Sequence, residues 1–176
     1  MLMEYDKKGF YKIYNIMKKS FPKSEVRSYF GQKALLKDNR YKILIKKKDK
    51  KIIGVICVRT FENLSFIEHF AIDKKYRNCG YGSEMLKEIS SMVSGYICLE
   101  VEPPVSSLQQ RRVDFYIRNG FFINDYDYCQ PPFNEKYGKV PLKIMTYGKS
   151  ISKMEFDFIK GIIYKEVYHQ KDENNL

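Results

Sequence analysis

The chain has 176 residues, 44% hydrophobic and 30% charged, a makeup that fits one folded domain with a core and excludes a disordered chain. No apolar run approaches the roughly 20 residues of a membrane helix, and the first ten residues carry acids without an apolar stretch, so a cytoplasmic protein with no secretory signal is expected. Cys57, Cys79, Cys98 and Cys129 form no C-x-x-C pair and read as reduced thiols; with two histidines in the chain, no metal site is expected.

The formal net charge of +11 raises nucleic-acid binding as one class of function. The lysines are spread from end to end, and the one dense run, residues 46–51, falls between two apolar stretches where a solvated turn belongs. That pattern favours a lysine-rich surface, part of it attracting an anionic small molecule.

In chain order, the spacing of Phe10, Ile13, Tyr14 and Met17 predicts a helix over residues 4–19, broken at Phe21-Pro22. A second helix is expected over residues 24–36, with Val26, Tyr29 and Phe30 inward. Residues 41–45 and 52–58 read as two β-branched strands of a hairpin closed by the lysine turn. Residues 66–72 form a short apolar strand. Arg77-Asn78-Cys79-Gly80-Tyr81-Gly82 is a glycine-bearing turn, and from Ser83 the positions Met85, Leu86, Ile89 and Met92 or Val93 keep helical spacing.

A break at Ser94-Gly95 precedes a strand over residues 96–101, stopped by Pro103-Pro104. Residues 109–119 read as a short helix ended by Asn119-Gly120. An aromatic strand follows over residues 121–128, a Pro/Gly/Asn-rich loop over 130–140 and a strand over 142–147. Ser152-Lys153-Met154-Glu155 is a capping-box sequence. It opens a C-terminal helix at about residues 153–169 with Met154, Phe158, Ile162 and Val167 on one side. The polar tail after Gln170 is expected to fray. No repeat or linker interrupts the chain, so residues 1–176 read as a single domain.

The strand, turn and helix of residues 66–92 carry the chemistry. A glycine turn at a helix start aims several backbone N–H groups, unsatisfied by the helix, at one spot, and the helix dipole adds partial positive charge. That makes an anion site, most naturally for phosphate. Gly80 and Gly82 offer left-handed backbone and leave room where a Cβ would intrude. The R-x-x-G-x-G spacing is neither the dinucleotide G-x-G-x-x-G nor a Walker loop.

Three blocks in order resemble the GNAT superfamily of acyl-CoA-dependent N-acetyltransferases. They are Ala71-Ile72 with Arg77-x-x-Gly80-x-Gly82, the strand LEVE at residues 99–102, and Arg111-Arg112-Val113-Asp114-Phe115-Tyr116-Ile117-Arg118-Asn119-Gly120-Phe121. The resemblance covers roughly residues 41–147. With EHFA, LEVEPP, QPP and PLKIM, the chain looks like a bacterial group of unassigned substrate. It implies an α/β fold: a mixed, mostly antiparallel sheet of six to seven strands, a central splayed parallel strand pair, and helices on both faces.

The resemblance also implies roles. Acetyl-CoA is the acyl donor. Its pantetheine arm pairs with the backbone near Phe70, Ala71 and Ile72, and its pyrophosphate sits in the loop that starts at Arg77, on the N–H groups of Asn78, Cys79, Gly80, Tyr81, Gly82 and Ser83. Tyr116 matches the tyrosine that protonates the departing thiolate, and a phenol can do so at short range. Glu68 is the candidate base for the amine, with a carboxyl pKa raised by burial near Phe66 and Phe70; a bulge in that strand brings in His69 instead. Glu100 and Glu102 share a strand face and either line the cleft for a cationic amine or pair with Arg111 or Arg112. Cys79 sits at a helix start, where thiolates are favoured, but a phosphate loop is badly placed for a covalent acyl carrier.

The partners implied are therefore acetyl-CoA and an amine acceptor, with no membrane and no nucleic acid. The sequence admits a homodimer, and it leaves the acceptor unnamed: small amine, peptide or protein. Residues 21–27, the 130–140 loop and the C-terminal helix are expected to choose it. The alternative within the fold is a non-catalytic acyl-CoA-binding domain; the alternative outside it is a basic nucleic-acid-binding module.

Overall fold

Residues 1–6, 8–133, 136 and 138–170 are described by the computed structural model. Positions 134, 135 and 137 of the expected acceptor-selecting loop, and the polar tail from 171, lie outside the described residues. The chain divides into two compact units, Met1–Ile97 and Cys98–Leu176.

In the first unit the lysine turn makes a hairpin of β2 (Tyr41–Lys48) and β3 (Lys51–Thr60). Asp49 and Lys50 turn the chain at φ 48° and 64°, the left-handed pair that suits a two-residue hairpin turn. β4 (Leu64–Ile72) pairs antiparallel with β3, and β1, only Met3–Glu4, pairs antiparallel with the outer edge of β2. The hairpin strands are longer than their β-branched cores predict, because the flanking lysines continue the ladder. A strand as short as β1 has no periodicity to read.

Alternation along the strands decides which face receives which helix. Tyr41, Ile43, Ile45, Val55 and Cys57 pack with Phe10, Ile13 and Met17 of α1 (Phe10–Ser20) in one cluster. These are the helix positions the spacing predicts, although the helix starts six residues later than expected. The second helix shortens more. A 3-10 turn at Lys23–Glu25 precedes α2 (Tyr29–Ala34), Val26 is extended, and Phe30 points outward at 81% exposure.

Leu44 and Lys46 alternate with that cluster and face α3 (Tyr81–Met92), whose Met85, Leu86 and Ile89 are buried while Met92 is exposed. Burying each of those three contributes about 1.5–3 kcal/mol. Gly54 of β3 lets the helix come this close: a Cβ there would lie 2.5 Å from the Met85 sulfur and 2.9 Å from Ile72 Cδ1.

In the second unit, β7 (Val140–Tyr147) lies between β5 (Tyr96–Val101) and β6 (Phe121–Gln130), antiparallel to both. The β6–β7 register slips between Asn124 and Tyr128. Asn124 closes the irregularity with its side chain, donating to the Ile144 carbonyl at 3.1 Å and accepting from Ile151 N–H at 3.0 Å.

Both helices of this unit start on capping boxes: Ser106 with Gln109 opens α4 (Ser107–Arg118), and Ser152 with Glu155 opens α5 (Lys153–Ile162). α5 ends in a π turn, Ile163–Val167, short of residue 169. Its buried side is Phe156, Ile159, Ile163 and Val167. Met154 and Phe158, expected inward, are 82% and 50% exposed. The two sets are one rotational step apart, and the π turn, which carries an extra residue, brings only Val167 into both. No helix among the described residues is long and apolar enough to cross a membrane.

Candidate active site

The chain leaves β4 through Asp73, whose carboxylate accepts from Lys75 N–H at 3.0 Å and opens a 3-10 turn, Lys74–Tyr76. Arg77 Nε donates back to the Ile72 carbonyl at 3.1 Å, so the turn is tied to the strand end. Asn78 at φ 59° and Gly80 at φ 81° then reverse the chain into α3. The second left-handed residue is thus Asn78. Gly82, expected in that role, belongs to the helix, which begins at Tyr81 rather than Ser83. Asn tolerates this backbone better than most residues.

Gly80 caps α3 without a side chain, so no side-chain oxygen occupies the first-turn N–H groups. A Cβ at Gly80 would meet nothing within 4 Å, so the space outside the turn is open. The one acid in the first turn, Glu84, is bonded to Lys46 of β2, which also holds Glu88 at 3.1 Å. That lysine offsets the charge that would oppose an anion. The Lys48 ammonium lies 5.5 Å from the centre of the Tyr81 ring. An open, uncapped, electropositive turn of this shape fits a pyrophosphate. Cys79 is exposed, with Sγ 3.4 Å from the Arg77 carbonyl.

β4 is bulged, the case in which the sequence reading brings in His69. Cys57 pairs with His69 and Val58 with Ile67, which leaves Glu68 as the extra residue and breaks the regular face of residues 66, 68 and 70. The Glu68 side chain is 2% exposed. Arg27 donates to its Oε1, and Arg59 Nε donates to its Oε2 at 3.0 Å. Burial pushes the carboxyl pKa up, but Arg27, His69 and Arg59 together pull it below its ordinary value of 4.5. The raised pKa expected from the phenylalanines is thus reversed in direction by the two arginines.

His69 is also buried. Its Nε2 lies 3.0 Å from the Glu25 carbonyl, to which it donates, and its Nδ1 lies 3.6 Å from Glu68 Oε1. Burial, ahead of the opposing pull of Glu68, lowers its pKa and keeps the ring neutral. Phe21 meets the imidazole edge-on at 4.8 Å. Residues 21–27 are therefore pinned onto the bulge by a ring, a carbonyl and a guanidinium. Neither Arg27 nor Arg59 was identified from the sequence. A lone arginine in the apolar run of β3 was the available signal, since a buried arginine requires an anion.

In the second unit, Tyr116 on α4 is 8% exposed, with ring centres of Phe115 and Phe121 at 5.3 and 5.7 Å. Burial pushes its phenol up to about 12, Arg112 pulling weakly the other way. Glu100 accepts from the phenols of Tyr128 and, at 2.7 Å, Tyr168. Glu102 pairs with Arg112 at 2.5 Å, the second of the two fates its sequence allowed. The tyrosine partners of Glu100 were not foreseen; they come from β6 and from the residue just after the π turn, far along the chain.

The sequence matches the model of the acetyltransferase (GNAT) family over residues 10–121, and the chain belongs to that family. Among solved structures it is similar to a GNAT-family protein from Bacteroides thetaiotaomicron at 28% identity, covering 97% of this chain and 99% of that one with a TM-score of 0.89. A GNAT-family acetyltransferase from Elizabethkingia anophelis, with acetyl-CoA bound, aligns at 16% identity over 84% and 96% of the two chains, TM-score 0.61. Spermidine N-acetyltransferase from Vibrio cholerae aligns at 13% identity over 84% and 94%, TM-score 0.62. A search of the curated proteins found no match. The fold is the α/β fold of this family, with its mixed, mostly antiparallel sheet.

Proposed function

We propose that this protein transfers an acetyl group from acetyl-CoA to a primary amine by direct attack in a ternary complex. The observation that carries the reading is the turn through Asn78 and Gly80 into the uncapped start of α3. Its N–H groups, from Asn78 through Ser83, would hold the pyrophosphate, and the strand end at Phe70, Ala71 and Ile72 would supply backbone partners for the pantetheine arm. Acetyl-CoA bound to a related fold supports the choice of donor. When bound, the donor supplies an activated thioester; the remaining steps belong to the chain's own residues.

Tyr116 is the proton donor in this reading. A phenol with its pKa near 12 keeps its proton throughout the neutral range and can give it to a thiolate at short range. Of the two candidate bases, His69 suits the task better than Glu68. The imidazole is neutral, and a proton arriving at Nδ1 would be stabilised by the carboxylate 3.6 Å away. Glu68 is held as an anion by Arg27 and Arg59 and is a weak proton acceptor there. Glu100, whose two phenol partners leave its charge in place, remains a candidate for attracting a cationic acceptor, whereas Glu102 is taken up by Arg112.

The test is acetyl transfer to a panel of polyamines, lysine derivatives and peptide N-termini, read as release of free CoA thiol. Turnover on at least one amine is expected. CoA binding without turnover on any of them would favour the non-catalytic acyl-CoA-binding alternative. Failure to bind CoA at all would overturn the reading.

A further inference from the structure

A cavity of about 570 Å³ opens on the face of the hairpin turned away from α3, at the side where β1 and the start of α1 meet it. The alternation of β2 separates it from the phosphate loop: Lys46 and Lys48 reach Glu84 and Tyr81 on the α3 side, whereas Ile45 and Lys47 line the cavity. Its volume is within the usual ~300–1,000 Å³ of small-molecule sites.

The lining has two parts. Five lysines edge it: Lys8 and Lys12 from the start of α1, and Lys47, Lys50 and Lys51 from the hairpin. Ile16, Ile45 and Ile52 contribute apolar surface between them. Two acids are present as well, and both are engaged: Glu4 pairs with Lys42 at 3.3 Å, and Asp6 accepts from the Lys8 backbone N–H at 3.1 Å. None of the five lysine ammoniums forms an ion pair among the described residues, while Lys42, Lys46, Lys143, Lys149 and Lys153 all do. The first turn of α1 adds to the same wall, since it carries no acid and its Gly9 cap supplies no side-chain acceptor.

We propose that this cavity is a second binding site, for a small polyphosphorylated ligand with a flat apolar body, the chemistry of a nucleoside polyphosphate. Five lysines around one cavity, none of them ion-paired among the described residues, hold like charge close together, and a multiply charged anion relieves it better than any single charge. A singly charged or purely polar ligand would leave most of that repulsion in place and the isoleucines uncovered. The site stands on the opposite face of the hairpin from the acetyl-CoA loop and does not rest on the function proposed above.

The probe is ATP, titrated calorimetrically into the full-length protein with CoA held at saturation, so that the phosphate loop is already filled. ATP is expected to bind with CoA present. Lys47→Glu/Lys51→Glu on one wall and Lys8→Glu/Lys12→Glu on the other should each weaken it by about tenfold or more, with CoA affinity unchanged. Tripolyphosphate, which has the charge without the body, should bind more weakly than ATP. Competition between ATP and CoA would assign the binding to the phosphate loop and overturn the proposal. Wild-type ATP affinity in either folded double variant would overturn it too, as would tripolyphosphate binding equal to that of ATP. If CoA itself fails to bind, the acetyltransferase reading falls, while the two double variants still decide whether ATP occupies the cavity.

Discussion

Arg59 Nε lies 3.0 Å from Glu68 Oε2, and both side chains are 2% exposed. With Arg27 on the other oxygen, one carboxylate holds two guanidiniums in the interior of the first unit. Removing one partner of a buried pair typically costs about 3–5 kcal/mol, because the remaining charge stays uncompensated. Glu68→Gln preserves shape and removes only charge, so it should lower unfolding free energy at neutral pH by an amount in that range, measured by urea denaturation. The folded pKa is depressed, so the contribution is present above the ordinary value of 4.5 and is lost as pH falls through the folded pKa. The gap between wild type and variant should therefore be widest at neutral pH and close under acid. A variant as stable as wild type at pH 7 would refute this role.

Tyr116→Phe keeps the ring against Phe115 and Phe121 and removes the acidic proton. A positioned proton donor contributes ~10²–10⁴-fold, so kcat should fall by about that factor while CoA affinity holds. Loss of the hydroxyl should cost stability about 1 kcal/mol or less. Steady-state kinetics with calorimetry separates the two effects, and a wild-type kcat would remove Tyr116 from the mechanism.

Gly82 lies in the first turn of α3, where, in the proposed reading, the N–H groups would face the pyrophosphate without a side chain between. Gly82→Val should abolish CoA binding and leave the far-ultraviolet circular dichroism unchanged. Unchanged CoA affinity in the folded variant would show that the phosphates lie elsewhere.

Gly54→Val tests the seat of that same helix from below. A Cβ already meets the Met85 sulfur at 2.5 Å, and overpacking of this kind typically costs about 1–3 kcal/mol. Thermal unfolding should shift down, and CoA affinity should drop with it because α3 carries the loop. A shift in neither quantity would mean that Met85 swings clear at no cost.

His69→Gln separates the two candidate bases. If His69 accepts the amine proton, the kcat deficit of the variant should shrink as pH rises and free amine becomes available without help. A deficit equal at every pH would assign the histidine to packing against Phe21.

Elements with a strong local signal were legible in the sequence. The α1 face of Phe10, Ile13 and Met17, the hairpin, the left-handed turn into α3 and the capping box at Ser152 all rest on spacing within a few residues, and spacing survives folding. What could not be read depends on distant partners. The direction of the Glu68 pKa turns on Arg27 and Arg59, 41 and 9 residues away. The buried side of α5 is set by one rotational step that Met154 and Phe158 share equally in the sequence. Gly82 and Asn78 exchanged roles because the helix could start at either end of a three-residue window.

The hairpin edge has a consequence for how molecules of this protein meet one another. β1 pairs with β2 at Leu44 and Ile45, and Tyr5 N–H donates to the Ile43 carbonyl at 2.8 Å; toward the turn the strand continues through Lys46, Lys47 and Lys48. An open strand edge is a template for joining another strand, and a row of ammonium groups makes two such edges repel. Lys47 and Lys48, both exposed and without an ion pair among the described residues, thus set like charge along the edge where a strand of another chain would join. Lys47→Val with Lys48→Thr would neutralise that edge, and sedimentation velocity across a concentration series should then reveal association that rises with protein concentration.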